Sequence, residues 1–252
     1  ELFLDQQQYK GVSEKLHFFN SWFESCSDLE KPVYRLQEKN GYSVIYNPNE
    51  KSLHPGKLID SLEKQVNELG IRIYYHSEVE AVSPNNEISV KGGPVYQAGW
   101  IVAALNGYVQ KLFPAVPVKP ARGTVILTSA LRHIHWPGVW HYDNGYIYFR
   151  MVGKRLLLGG ARNLDKQTEE TTELAINTKI KNALVDFADR YLTPNESWSV
   201  EEEWSGIMGF SQNKQPLIHE IHPNCWYIGG FSGMGIAMSS YYAQQVVNRV
   251  LD

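Results

Sequence analysis

A chain of 252 residues, 43% of them hydrophobic, is long enough to bury a substantial core as one large domain or two small ones. Its net charge of −3, with Lys and Arg scattered along the chain, excludes the electrostatic footprint of a nucleic-acid binder. Cys26 and Cys225 build neither a disulfide framework nor a zinc site and fit a reduced cytoplasm, and no apolar run reaches the ~20 residues of a membrane helix.

The chain opens at Glu1 without Met and reads as a fragment of a longer protein. Residues 16–23 are aromatic-rich and predict a helix, and Val33-Tyr-Arg-Leu and Tyr42-Ser-Val-Ile-Tyr46 predict strands about a polar turn at 37–41. Leu58, Leu62, Val66 and Leu69 keep helical spacing over 57–70, with Gly70 suited to the C-terminal cap. Strands are expected at Ile71-Arg-Ile-Tyr-Tyr, from Glu78, at Ile88-Ser-Val90 and at Val95-Tyr-Gln. A buried strand over 98–104 ends at Asn106-Gly107, and Pro117, Pro120 and Gly123 predict a linker. Between 124 and 160 short period-2 segments alternate with Asp143-Asn-Gly145 and Gly153-Lys-Arg turns, the pattern of an antiparallel meander. Residues 169–192 predict an amphipathic helix or helix pair, and 198–204 a strand. The expected fold class is mixed α/β, an α/β layer interrupted by a largely antiparallel part. No strand is followed by G-x-G-x-x-G and a helix; after Gly233 and Gly235, Met238 stands where the third glycine would be.

The last stretch organises the rest. Trp226-Tyr-Ile-Gly229-Gly230 reads as a short apolar strand, and a turn with Gly233 and Gly235 leads into a helix whose stripe is Tyr242, Val246 and Arg249/Val250. Glycines there permit positive φ and close approach, and the helix start leaves N–H groups unpaired at a positive dipole end, suited to an electron-rich part of a cofactor.

Five stretches, in order, carry a resemblance. They are His54-Pro-Gly-Lys-Leu with Gly70-Ile-Arg-Ile, Glu78-Val79-Glu-Ala-Val, Trp100-Ile-Val-Ala-Ala104-Leu-Asn-Gly-Tyr108, Val118-Lys-Pro-Ala-Arg-Gly123, and Trp204-Ser-Gly206-Ile207-Met208-Gly through Gly230-Phe-Ser-Gly233-Met234-Gly235-Ile236. Together these resemble the FAD-dependent D-amino-acid oxidase superfamily, close in pattern to glycine oxidase and monomeric sarcosine oxidase. The resemblance covers 54–252 and implies a flavoenzyme whose N-terminal GxGxxG Rossmann unit is missing from this chain. It implies FAD-binding parts at 54–114 and 204–252 and substrate-domain parts at 1–53 and 115–203. It places Val79 at the adenine, Ala104 at a strand end, Gly206 and Ile207 near the ring, and Gly230, Gly233, Met234, Gly235, Ile236 and Ala237 along the flavin. Some relatives link FAD through a cysteine at the position of Gly206, so non-covalent FAD is expected here.

Two departures bear on the substrate. The arginine that pairs the substrate carboxylate in glycine-oxidase-like members is replaced by Met208, and the lysine of sarcosine-oxidase-like members by Ala237. An amino-acid carboxylate in a desolvated site needs a paired cation, so an amine, or an acid held by other residues, fits better. Substrate-binding candidates besides Met208 are His141, Tyr146, Tyr148 and Arg150, the last three on one face by alternation. Arg122 and Arg162 suit turns or salt bridges, and His133-Ile-His135, without a third ligand, reads as surface rather than a metal site.

The expected function is FAD-dependent oxidation of a C–N bond of an amine or amino-acid-like small molecule by hydride transfer to flavin, in the cytoplasm. The rival expectation is a non-catalytic or split-subunit module that binds FAD poorly alone and needs an N-terminal fragment; a homo-oligomer is a further expected partnership. A modified-tRNA oxidase is disfavoured by the missing basic patch.

Overall fold

A computed structural model describes residues 1–133 and 136–251. In chain order it runs β1 (Leu2–Phe3), α1 (Gln6–Ser13), α2 (Leu16–Ser21), β2 (Arg35–Lys39), β3 (Tyr42–Tyr46), α3 (Pro55–Glu68), β4 (Val79–Val82), β5 (Glu87–Val90), β6 (Val95–Gln97) and β7 (Ile101–Ala103). A 3₁₀ turn at Asn106–Lys111 precedes β8 (Val118–Thr128), β9 (Val139–Tyr142), β10 (Ile147–Val152), β11 (Arg155–Gly160), α4 (Thr178–Phe187), β12 (Val200–Ser211), β13 (Leu217–His222), β14 (Cys225–Gly229) and α5 (Gly235–Leu251). The expected mixed α/β class holds. No helix among the described residues is long and apolar enough to cross a membrane.

The chain divides into two compact units. The first holds Glu1–Lys64, Thr124–Leu164 and Ile176–Trp204; the second holds Gln65–Gly123, Asp165–Ala175 and Ser205–Asp252. The first is organised on an eight-stranded sheet in the order β12-β8-β11-β10-β9-β1-β3-β2. Its β8-β11-β10-β9 stretch is the antiparallel meander that the turn residues predict. One face buries Phe149, Leu156, Leu158 and Ile126 with Ile180, Leu184 and Phe187 of α4. Trp136 closes this core and donates its indole N–H to the Leu192 carbonyl at 2.8 Å.

The second unit has two three-stranded sheets, β13-β14-β7 and β4-β5-β6. β14 and β7 are parallel, with Cys225 opposite Ile101 and Tyr227 opposite Ala103. Their core joins these residues to Val109, Phe113, Val116 and Val118.

Three expectations change. Residues 71–75 form no strand: Ile71, Tyr74 and Tyr75 are exposed, and no described strand offers them ladder partners. The cap that ends α3 is as expected, with Gly70 at φ 73° and Ile71 N–H donating to Val66 O at 3.1 Å. The 117–123 stretch is strand rather than linker. β11 pairs with β8 only at Thr124–Leu127, so Pro120 removes no bond to that neighbour.

Residues 169–177 are not helical, because Glu169 is committed elsewhere. Its carboxylate takes Arg122 Nη2 at 2.7 Å and Nε at 3.1 Å, its carbonyl takes the Arg122 N–H at 2.8 Å, and the Glu173 carbonyl takes Nη1 at 3.2 Å. Both side chains are buried, so Arg122 has the salt-bridge role its context suggests. The helix begins only where Asn177 caps Lys179 and Ile180.

Removing one partner of this pair strands a buried charge. Glu169→Ala is expected to lower unfolding free energy by about 3–5 kcal/mol, while Arg122→Met/Glu169→Leu recovers most of it; urea midpoints of the three proteins check this, and equal loss in single and double variants would contradict it.

Candidate functional site

The carboxyl ends of the parallel strands β7 and β14 lead into one backbone junction in the second unit. Open α/β sheets bind ligands at such ends. Asn106, three residues past β7, ties the junction together: Nδ2 donates to Ile207 O at 2.7 Å, Oδ1 accepts the Gly209 N–H at 2.9 Å, and its carbonyl accepts the Tyr227 hydroxyl at 3.0 Å. The Ser232 N–H donates to Gly209 O at 2.9 Å, adding the turn before α5. Close approach demands glycine here. A Cβ at Gly107 would sit 2.6 Å from the Met208 carbonyl, and one at Gly209 3.1 Å from the backbone of Asn106. Burial of the Tyr227 hydroxyl pushes its pKa up to about 12.

Around this junction the surface changes character. Gly206 and Gly233 have open space where a Cβ would point. Met234 and Ile236 are exposed at 56% and 55% beside the start of α5, and Ala237 is exposed as well. An apolar patch at a helix N-terminus suits a flat ring with an electron-rich edge.

Most of the expected cofactor residues therefore meet in one place. Ala104 follows β7, Gly206 and Ile207 lie on β12, and Gly230, Gly233, Met234, Gly235, Ile236 and Ala237 make the β14–α5 turn and first helical turn. Val79 lies apart in the β4-β5-β6 sheet, opposite Val90. Met208 sits in the junction: its Cε lies 3.0 Å from a Cβ built on Gly123. Asn106 and Tyr227 are the residues that sequence reasoning passed over; the Asn106-Gly107 pair reads as a turn, and nothing in it announces three long-range bonds.

The remaining candidates lie on the first unit's sheet, on the face away from α4. His141 is directly opposite Tyr148, and Tyr148 opposite Gly159; Arg150 is opposite Val139. Their neighbours Trp140 and Phe149 point into the core, as alternation requires. The Tyr148 ring lies over Gly159 where a Cβ would overlap it, and burial raises the hydroxyl's pKa. Arg150 Nη1 donates to the Leu53 carbonyl at 2.8 Å, so its charge is partly engaged. Tyr146 falls just outside β10, its carbonyl taking the Ala161 N–H at 2.5 Å. His141 Nδ1 is buried without a hydrogen bond, and burial lowers its pKa. No group of three or more His, Cys, Asp or Glu among the described residues could hold a metal; Ile134 and His135 of the His-Ile-His stretch lie outside them.

A family model described as FAD dependent oxidoreductase matches residues 5–249. A curated relative, "Probable oxidoreductase OrdL" of Rhizobium meliloti (strain 1021), is 29% identical over 234 residues, covering 86% of this chain and 51% of that protein. The OrdL of Haemophilus influenzae is 23% identical over 222 residues, covering 82% and 49%. The chain thus spans about half the length of the curated relatives it matches. Among solved structures, glycine oxidase from Geobacillus kaustophilus superposes with a TM-score of 0.76 at 17% identity, covering 96% of this chain and 68% of that one. L-proline dehydrogenase from P. horikoshii gives 0.71 at 15% identity, covering 94% and 67%. These likenesses establish the fold.

Tyr227 carries a pH dependence. Below about pH 10 both folded and unfolded chains keep the phenol proton; between about 10 and 12 only the unfolded chain ionises, so stability falls as pH rises through that window. Tyr227→Phe should remove roughly 1 kcal/mol of the loss between pH 9 and 11, read from urea midpoints at those two values. An unchanged slope would contradict the assignment.

Proposed function

The chain belongs to the FAD-dependent oxidoreductase family, and we propose that it forms the ring-facing part of an enzyme that oxidises a C–N bond of an amine or amino-acid-like substrate, with FAD held non-covalently. What supports the cofactor site is the fit between its chemistry and the junction: exposed Met234 and Ile236, open space over Gly206 and Gly233, and the start of α5. Gly206 offers no thiol at the position where some relatives attach the cofactor. Flavin, when bound, supplies a two-electron acceptor for hydride. The peptide N–H groups at the start of α5 contribute a fixed positive end that favours negative charge nearby, at no reorganisation cost. Gly107, Gly209 and Asn106 keep that turn in place against β12.

The observation that carries the amine reading is Met208. Where glycine-oxidase-like members carry a carboxylate-binding arginine, this chain has a thioether against Gly123, and Ala237 supplies no cation either. An α-carboxylate desolvated there would lack its charge partner. Within the first unit, His141 and Tyr148 face each other across the ladder and set an imidazole beside a phenol whose pKa burial raises.

Anaerobic mixing of FAD-loaded protein with amines and with α-amino acids tests this. Simple amines should bleach the flavin at least about tenfold faster than matched α-amino acids, and Met208→Arg should narrow the ratio. Preference for α-amino acids in the unaltered protein would overturn the reading.

A further inference from the structure

Within the second unit, the turn between β13 and β14 gathers donor groups that the junction does not use. Pro223 and Asn224 make a two-residue connection, with Asn224 at φ 65°, and the residues flanking it, His222 and Cys225, are directly opposite in the ladder. Opposed residues put their side chains on one face, with Cβ atoms about 4.5–5.5 Å apart. That face is the one on which Cys225 and Tyr227 enter the core and Ile221 packs against it. Simple alternation from Ile221 would send His222 to the other face; a register shift between Glu220 and His222 brings it opposite Cys225 instead.

The polar groups there are unused. Cys225 is fully buried and its thiol is free. Both His222 ring nitrogens are buried, and neither has a hydrogen-bond partner in the protein. A neutral imidazole presents one donor and one acceptor, so two polar functions are left uncompensated in one ring. A third such atom lies beside the turn. Asn86 is 8% exposed, its Nδ2 donates to the Pro223 carbonyl at 3.3 Å, and its Oδ1 is buried without a partner.

A packing role accounts for the cysteine but not for the histidine, because an apolar side chain would fill the place without burying two polar atoms. A thiol–imidazole hydrogen bond is not made, since neither ring nitrogen has a partner. A cation accounts for both residues. Thiolate with imidazole is a donor pair that soft cations prefer. With metal–donor bonds of about 2 Å each, such an ion joins atoms about 4 Å apart, a span that opposed side chains can reach. Two donors fall short of the four that structural Zn(II) takes, so a low-coordinate monovalent ion fits better. The other ring nitrogen then keeps its N–H, and the Asn86 carbonyl oxygen is an acceptor for it, as metal-bound histidines require.

We propose that His222 and Cys225 form a binding site for a soft monovalent cation of the Cu(I) type across the β13–β14 turn. Binding exchanges the thiol proton for the metal: the S–H bond breaks, its electron pair makes the metal–sulfur bond, the proton leaves to solvent, and nothing is oxidised or reduced. Burial pushes the free thiol's pKa up, so the proton stays on sulfur until metal displaces it. Pro223 and Asn224 are exposed, which gives the ion a way in past the turn. The site is at the opposite end of β14 from Gly229, separate from the junction.

The test uses silver ion, a redox-inert cation of the same class, titrated into the Cys26→Ser chain, which lacks the exposed thiol of the first unit. Native mass spectrometry should count one ion per folded chain. His222→Gln should weaken binding at least about tenfold and Cys225→Ala should abolish it, with near-ultraviolet circular dichroism reporting the fold of each. Nuclear magnetic resonance of the Cys26→Ser chain itself gives a reading independent of those two variants: one equivalent of silver should shift a ring nitrogen of His222 and leave the other histidines in place. No binding by the Cys26→Ser chain would overturn the site. So would an unmoved His222 resonance, or an affinity that His222→Gln leaves unchanged, since either would mean a lone thiol.

Discussion

The second unit depends on one residue that satisfies three neighbours at once, two through its side chain and one through its backbone carbonyl. Asn106 bonds Ile207, Gly209 and Tyr227, residues more than a hundred positions downstream. An amide can do this because it carries donors and an acceptor in one plane, and its own carbonyl adds another acceptor. Glycine at 107 and 209 is the steric condition for the approach, since a methyl group at either would press on backbone that cannot yield. Asn106 is itself exposed, so the strand ends are knitted together at the surface, where a cofactor could lie against them.

The other constraint is the Arg122–Glu169 pair. It holds the Asp165–Ala175 segment to the start of β8, and both belong to the second unit although the flanking chain belongs to the first. A buried pair of this kind adds little net stability over an apolar substitute but penalises any arrangement that separates the charges. It fixes where an otherwise irregular segment must lie.

Much of this was legible in the sequence where the signal is local. Asp143-Asn-Gly145 and Gly153-Lys-Arg place the hairpins of the meander, and Tyr242 with Val246 marks the inner side of α5, where Val246 is buried. The glycines at 229–235 show where strand gives way to helix. What escaped needs a distant partner. Ile71–Tyr75 has strand composition but finds no ladder neighbour among the described residues, and Glu169 sits in a helical pattern yet is claimed by Arg122, 47 residues upstream. β8 runs through Pro120 because β11 stops short of it, a fact about the neighbour and not about the proline. At the site, glycine and helix were readable, while Asn106 looked like an ordinary turn residue.

The most direct test of the account is titration of the chain with FAD, following flavin fluorescence, in parent and Asn106→Ala proteins with near-ultraviolet circular dichroism to confirm the fold. If the junction cradles the ring, the parent should show weak but saturable quenching, and Asn106→Ala should weaken it by roughly tenfold, the equivalent of about 1.4 kcal/mol of lost interaction. No binding by the folded parent, or equal binding by both proteins, would contradict it.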